Sequence, residues 1–237
     1  MKKLVVFTGA GISAESGIAT FRASDGLWAN YRIEDVCTPE ALQNNREQVI
    51  DFYNIRRKEV LTKQPNAAHL GLKELEKQFD VQIITQNIDD LHERAGSKNV
   101  LHLHGEILKL CSSRDVSQTV VLDGWEQKMD VRHSDGSLLR PFVVFFGEQV
   151  PMLERAIDLT AEADIFVVIG TSLQVYPAAS LLYYVRPDVP VYVIDPNVPA
   201  ISLPRTEARS ASSTKLNPLH VIQKSATEGI VELMSLL

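Results

Sequence analysis

Four clusters of side chains in this sequence have types and spacings suited to chemistry. The first is Gly9-Ala10-Gly11-Ile12-Ser13-Ala14, which follows an apolar run at residues 4–7. It satisfies the G-x-G-x-x-G/A dinucleotide pattern in a strand-then-helix setting, where glycines let the backbone approach a pyrophosphate. An ordinary tight strand-to-helix turn has the same short pattern. No Lys followed by Ser or Thr closes the loop, which excludes a nucleoside-triphosphate P-loop. No clear second strand ends in an acid about 20 residues on, which disfavours hydride transfer. The second cluster is Asn87 and Asp89, after an apolar run at 81–85. An amide and a carboxylate at a strand's carboxyl end can pair with both donor and acceptor atoms of a carboxamide such as nicotinamide, although the same residues also cap helices. The third comprises His92, His102 and His104, since an imidazole accepts a proton near neutral pH. In a strand His102 and His104 face the same side, and only one can be the base. The fourth is Tyr53 with Arg56, one helical turn apart. A guanidinium grips a carboxylate through two charge-assisted hydrogen bonds and a phenol adds a third. The alternative is a packed Tyr53, with Arg56 and Arg57 on a solvated face beside Glu59.

These groups need a scaffold. Nearly continuous apolar runs at residues 4–7, 81–85, 143–146, 165–169 and 191–194 read as strands buried on both faces. Residues 65–79 carry Ala68, Leu72, Leu75 and Phe79 at helical intervals. Strands alternating with helices predict an α/β fold: a Rossmann-like parallel sheet with helices on both faces. Residues 112–136 break the rhythm with a polar stretch holding one short strand at 119–122 and Trp125, and read as a small inserted module at about 110–140 within one domain of 1–237. Residues 196–217, with three prolines, read as a surface loop.

The 30 acidic against 24 basic residues, a net charge of -6, and the lack of any Lys/Arg run argue against general nucleic-acid binding. Two cysteines, Cys37 and Cys111, are too few for a disulfide framework and point to a reducing compartment. The opening apolar run stops at Phe7 and no stretch reaches the roughly 18 residues of a membrane span, so the expectation is a cytoplasmic protein with no membrane partner.

The glycine loop continues to Arg22 as GAGISAESGIATFR, which resembles the NAD-binding signature of the sirtuins. Thr85-Gln86-Asn87-Ile88-Asp89-Asp90-Leu91-His92 resembles their TQNID-LH motif, and Leu103-His104-Gly105 their catalytic histidine motif. Phe146-Gly147-Glu148 and Gly170-Thr171-Ser172-Leu173, with Val175, Pro177 and Ala178, complete a set in the family's order. The resemblance implies an NAD-dependent enzyme that removes acyl groups from lysines of proteins or peptides, yielding nicotinamide and O-acyl-ADP-ribose. It implies that His104 is the general base and that Asn87 is catalytic beside it, with His92 near the ribose. It implies NAD contacts from Gly9, Ala10, Gly11, Ser13 and Glu15, from Phe21, Arg22 and Trp28, from Gln86, Asn87, Ile88, Asp89 and His104, and from Gly170, Thr171, Ser172, Asp195, Asn197 and Ala226. Phe21 and Arg22 would shield the reactive ribose from water. Val144, Phe146, Gly147, Glu148 and Val175 would hold the substrate peptide as an added strand.

In the class III branch of sirtuins a Tyr-x-x-Arg pair reads the terminal carboxylate of succinyl-, malonyl- or glutaryl-lysine, so Tyr53 and Arg56 imply those acyl groups ahead of acetyl. Two departures stand out. Most sirtuins bind a structural zinc through two Cys-x-x-Cys pairs; here Cys111 stands at the first position, Arg114 at the second, and no later pair exists. A tetrahedral sulfur site cannot form, and His133 and Asp135 have no recognisable zinc spacing with Cys111, so no metal is expected. Asp195 replaces the usual Asn near the adenosine ribose; it would repel a 2′-phosphate and favour NAD over NADP. Other readings of the same pocket are a non-catalytic NAD or ADP-ribose sensor, and an ADP-ribosyltransferase or NAD hydrolase.

Overall fold

A computed structural model describes residues 1–20, 31–197 and 218–237. Along it run β1 (Lys3–Thr8), α1 (Gly11–Ala14), α2 (Ile33–Val36), α3 (Pro39–Asn44), α4 (Arg46–Thr62), α5 (Ala67–Leu75), β2 (Asp80–Thr85), α6 (Leu91–Arg94), β3 (Val100–His102), β4 (Gly105–Ser112), β5 (Thr119–Val121), β6 (Leu139–Val143), α7 (Leu153–Ala161), β7 (Ile165–Ile169), β8 (Val191–Ile194), β9 (Leu219–Ile222) and α8 (Ala226–Leu236), with a 3₁₀ helix at Ala178–Tyr184 before β8. Among the described residues no helix is long and apolar enough to cross a membrane.

Four of the five continuous apolar runs form the inner strands of one six-stranded sheet in the order β3-β2-β1-β7-β8-β9. Every pairing in it is parallel; Leu4 lies opposite Val81 on one side of β1 and opposite Ile165 on the other. Both faces are covered, which is why these strands are apolar without alternation. On one face Leu4, Val6, Val167 and Ile169 pack with Leu72 and Leu75 of α5 and with Ile230 and Leu233 of α8. On the other Val5, Phe7, Phe166 and Val168 pack with Ala156 and Leu159 of α7 and with Leu181 of the 3₁₀ helix. α5 is shorter than the 65–79 periodicity predicts because Asn66 caps it, its side chain accepting from Ala68 N while His69 turns back to the Asn66 N–H.

The run at 143–146 departs from its reading as a strand of the main sheet. β6 ends at Val143 and belongs to a separate antiparallel sheet, β5-β4-β6. Beyond it Phe145 turns into a third core with Phe52, Tyr53 and Ile107, while Phe146 is 48% exposed. Apolar content marks burial here, and the burial is in a loop. The small sheet begins at Gly105, directly after His104, and its first strand pairs back along β6 to Val143.

Trp125 does not centre the insert. Its ring is 38% exposed, under the Lys58 ammonium at 5.2 Å. The insert is fastened instead by hydrogen bonds from one side of α4. Arg46 donates to Met129 O and Leu139 O, Asn54 exchanges bonds with the Gln127 backbone, and Gln127 Nε2 reaches Leu139 O at 2.8 Å. At its far end the Ser112 hydroxyl donates to Asp135 Oδ2 (2.6 Å), accepts from the Arg114 and Asp115 N–H groups, and meets Ser137 Oγ at 2.8 Å.

Candidate active site

The strand order reverses direction between β1 and β7, since the chain leaves β1 for β2 on one side and β7 for β8 on the other. Ligands of open α/β sheets bind outside the carboxyl ends of the strands at such a switch point. Here the two loops meet backbone to backbone: Gly9 N donates to Ile169 O (3.0 Å) and Gly11 N to Gly170 O (2.8 Å). A Cβ on Gly11 would lie 2.6 Å from Gly170 Cα; one on Gly170, whose φ is +60°, would lie 2.4 Å from the Ile12 nitrogen. Only glycine fits either position. Gln86, just past β2, straps the second loop by donating from Nε2 to Thr171 Oγ1 at 2.8 Å.

Around this crossing the sequence-predicted residues converge. The buried Ser13 hydroxyl accepts from Asn87 Nδ2 (3.1 Å) and donates to Asp89 Oδ2 (3.1 Å), while Asp89 Oδ1 accepts from Leu91 N. Ser13 thus fixes the amide and the carboxylate relative to each other. Burial pushes the Asp89 carboxyl up in pKa, and the bonds from Leu91 and Ser13 hold that rise back. Glu15 and Ala226 meet each other: the Glu15 carboxylate accepts from Thr227 N (2.9 Å) and Thr227 Oγ1 (2.6 Å), with the Ala226 N–H beside it, at the start of α8. Asp195 and Asn197 follow β8, with Asn197 N donating to Asp195 Oδ1 at 2.8 Å. Ile88 O accepts from Ile107 N (2.8 Å), and half-buried Ser172 follows Thr171 in the second loop. Phe21, Arg22 and Trp28 lie outside the described residues, as does most of the loop read at 196–217.

The three histidines divide by their partners. His104 Nδ1 lies 3.0 Å from Gln86 O, so that nitrogen carries the proton and Nε2 keeps its lone pair. Burial lowers the His104 pKa, against a smaller opposing effect of the Gln86 carbonyl, so the ring is neutral at neutral pH. His102 has both nitrogens engaged, Nδ1 with Asn87 O (2.9 Å) and Nε2 with Glu93 Oε1 (2.8 Å). Burial disfavours its charge, but Glu93 and the Asn87 carbonyl outweigh that and raise its pKa. With both ring nitrogens engaged, His102 braces the Asn87 backbone against Glu93. His92, expected near the ribose, is fully buried, its Nε2 on Thr8 Oγ1 (3.1 Å) and its ring 4.9 Å from His69, with burial driving its pKa well down. His69, unremarked in the sequence, sits 3.5 Å from Ser13 Oγ; its capping role on α5 was the available signal.

Of the residues expected to hold the peptide, those at 144–148 follow the small-sheet strand β6 that pairs beside His104. Val144 N donates to His104 O, and Phe146 N to Cys37 O, both at 2.9 Å. Gly147 has φ +90°, and Val175 O accepts from Ala179 N after the left-handed Leu173. The Glu148 carboxylate is taken up by the loop: it receives two bonds from Arg140 (2.5 and 3.0 Å) and one from Phe145 N (2.8 Å). Arg140 also lies 4.2 Å over the Phe145 ring. Tyr53 and Arg56 stand behind this loop. Tyr53 is buried, 6.0 Å from the Phe145 ring, with its hydroxyl 3.5 Å from Cys37 Sγ; Arg56 is half-buried with its guanidinium 5.8 Å over Phe52. Burial raises the Tyr53 and Cys37 pKa values, and the Arg56 charge opposes both shifts.

The residues of the insert do not fit a zinc ion. The Cys111 thiol is buried, directed at Pro141 O (3.8 Å), and pushed up to about 11, so it resists forming the thiolate a metal needs. Arg114, three residues on, donates to Asp135 O, and Asp135 is occupied by Ser112, Ser137 and His133. Among the described residues no three His, Cys, Asp or Glu form a group that could hold a metal ion.

Residues 9–177 match the model of the Sir2 family. An NAD-dependent protein deacylase of Bacteroides thetaiotaomicron is 50% identical over 100% of this chain and 98% of its own length. One of Aggregatibacter actinomycetemcomitans is 60% identical over 81% of this chain and 92% of its own. A Sir2 homologue solved as an NAD complex superposes with a TM-score of 0.84 at 38% identity, over 99% of this chain and 88% of that one. A Sir2–p53 peptide–NAD+ complex gives 0.77 at 30% identity, over 98% and 92%. The chain belongs to the Sir2 family.

Proposed function

We propose that this Sir2-family enzyme removes acyl groups from lysine side chains of proteins with consumption of NAD, and that it prefers succinyl, malonyl or glutaryl groups to acetyl. The observation that carries the first part is the Ser13-centred coupling of Asn87 and Asp89 at the switch point, next to a neutral His104 pinned through Gln86. The deacylases of similar sequence and the NAD-complexed homologue support it.

Bound NAD supplies a ribose carbon whose bond to nicotinamide breaks as the lysine acyl oxygen attacks, so that with one water consumed the products are nicotinamide, free lysine and O-acyl-ADP-ribose. The chain's own residues prepare that exchange. Gly9, Ala10 and Gly11 bring bare backbone to the pyrophosphate, which a side chain at Gly11 or Gly170 would obstruct. Asn87 and Asp89, locked by Ser13, orient the carboxamide. Thr171, Ser172, Asp195 and Asn197 serve the adenosine side. His104 Nε2 takes a proton from a ribose hydroxyl while its Nδ1–H remains on Gln86 O. Val144, Phe146, Gly147 and Val175 receive the peptide, and Glu148 keeps their loop in shape through Arg140. Tyr53 and Arg56 bind the acyl carboxylate, the guanidinium through a two-point grip and the phenol through a third bond.

The test is turnover of matched succinyl-, acetyl- and unmodified-lysine peptides with NAD, following nicotinamide and free peptide by mass spectrometry. Equal release of nicotinamide and deacylated succinyl peptide is expected, with turnover lost in His104→Ala and the succinyl preference lost in Arg56→Ala. The acid limb of kcat/KM should fall below the ordinary histidine value of 6.5, because His104 must be neutral and its pKa is lowered. NAD binding with no consumption of any acyl peptide would sink the reading in favour of a sensor, and nicotinamide release without deacylation would favour a hydrolase.

A further inference from the structure

Among the described residues Arg57 is the largest side chain with no exposed surface, and its hydrogen-bond partners are neutral. Nε donates to Ile107 O (2.7 Å), NH1 to Asn54 Oδ1 (2.6 Å) and Trp125 O (3.3 Å), and NH2 to Gln127 Oε1 (3.4 Å). Burial draws its pKa down to about 10, which leaves it cationic at neutral pH. A buried cation is retained only where its donors are well matched, and the forked geometry of guanidinium allows three separate segments to be held at once.

Those segments matter. Ile107, whose carbonyl Arg57 holds, is the residue whose N–H donates to Ile88 O, inside the strip that runs from Gln86 to Asp89. Trp125 and Gln127 belong to the insert, and Asn54 clamps the Gln127 backbone from the same helix. On α4 Arg57 lies one turn past Tyr53 and next to Arg56, so whatever fixes Arg57 fixes the rotation and height of both. The Tyr53 ring in turn sits against Phe145, at the root of the peptide loop.

We propose that Arg57 is a positioning residue that sets the acyl-reading pair Tyr53 and Arg56 against the strip after β2, by bonding α4, the Ile107 peptide and the insert into one unit. The role rests on the acyl reading above and extends it. Arg57 reaches no substrate; it decides where the residues that do so stand. A misplacement of about 1 Å in such a support costs up to about a hundredfold in rate.

The experiment compares Arg57→Gln, Arg57→Lys and Gln127→Ala with the wild-type enzyme, measuring KM and kcat separately for succinyl and acetyl peptides. Hydrogen exchange of residues 119–129 and thermal melts are recorded on the same samples. Arg57→Gln should raise KM for the succinyl peptide by about tenfold or more, change acetyl turnover little, and speed exchange around Trp125 and Gln127. Arg57→Lys, a single-point donor, should recover part of the KM but not all of it. Gln127→Ala leaves the cation in place, so it reports on the junction even if Arg57→Gln fails to fold. It should shift the succinyl-to-acetyl ratio in the same direction by less. An equal loss for both peptides would mean a merely structural residue and overturn the proposal. A succinyl preference abolished by Arg56→Ala yet unchanged in Arg57→Gln and Gln127→Ala would overturn it while leaving the acyl reading intact. A wild-type enzyme with no preference for carboxylated acyl groups would remove the acyl reading and this proposal together.

Discussion

The main sheet and the insert are held by opposite means. In the main sheet β1 and β7 are buried almost end to end and meet apolar helices on both faces. In the insert β5 alternates between exposed and half-buried residues, and buried polar side chains hold the module: Arg57, Asn54 and Gln127 join it to α4, Arg140 ties β6 to the loop after it, and Ser112 closes its far end. Apolar burial is non-directional and forgives small shifts, whereas a hydrogen bond to a named carbonyl fixes distance and angle. The difference teaches where precision is needed. The sheet supplies stability, and the polar junctions place the loops that border His104.

Phe166→Ala tests the first half and should have the largest effect on stability. The ring is wholly buried between β1, β8 and the α7 face, so its loss should cost about 3–5 kcal/mol of global stability. Denaturant melts would show it as a lower midpoint with an unchanged slope. A cost below about 1 kcal/mol would mean that the sheet does not depend on apolar burial as described.

Arg140→Ala addresses the junction with the peptide loop. It strips Glu148 of its partner, but Glu148 is 25% exposed and water can reach it, so the loss should be about 2 kcal/mol, below that of a fully buried pair. The more telling effect is on peptide KM, which should rise while NAD binding is kept, because Glu148 also holds Phe145 N. Restoring the charge with Arg140→Lys should recover stability better than KM.

How much of this was legible in the sequence follows the same division. Continuous apolar runs at 81–85 and 165–169 announce buried parallel strands, and the residues that follow them fall at the switch point because topology puts strand ends together. Residues 144–146 continue the apolar run past the end of β6 at Val143 but lie in a loop, since periodicity cannot tell a buried loop from a strand. Only the alternative reading of the Tyr53 cluster places Arg57, and it places it on a solvated face; the signal that it belongs inside is its spacing of four from Tyr53 and three from Asn54. Spacing alone does not separate His102 from His104, and only the resemblance of Leu103-His104-Gly105 picks one; the physical distinction lies in which carbonyl and which carboxylate each ring meets.

Ser112→Ala probes the far end of the insert. The hydroxyl serves Asp135, Ser137 and two backbone N–H groups, so its removal should cost about 1–2 kcal/mol, seen as faster exchange across residues 112–137. A chelator should add nothing to that loss or to the wild-type melt, because Cys111 and Arg114 offer no thiolate pair. A melting point lowered by chelator, or zinc retained through purification, would show that the insert is a metal domain after all.

Trp125→Ala should have the smallest effect, and for that reason it separates the two regions most sharply. An exposed tryptophan in a polar module invites the reading of a miniature core. The Lys58 ammonium lies over its ring, a contact worth about 0.5–1 kcal/mol at an exposed site. What the junction uses at this position is the main-chain carbonyl that accepts from Arg57, and alanine keeps it. Stability should therefore fall by no more than about 1 kcal/mol, and the succinyl-to-acetyl ratio should stay that of the wild type. If Trp125→Ala melted the insert or moved that ratio, side-chain packing would be holding the module, and the contrast with the main sheet would disappear.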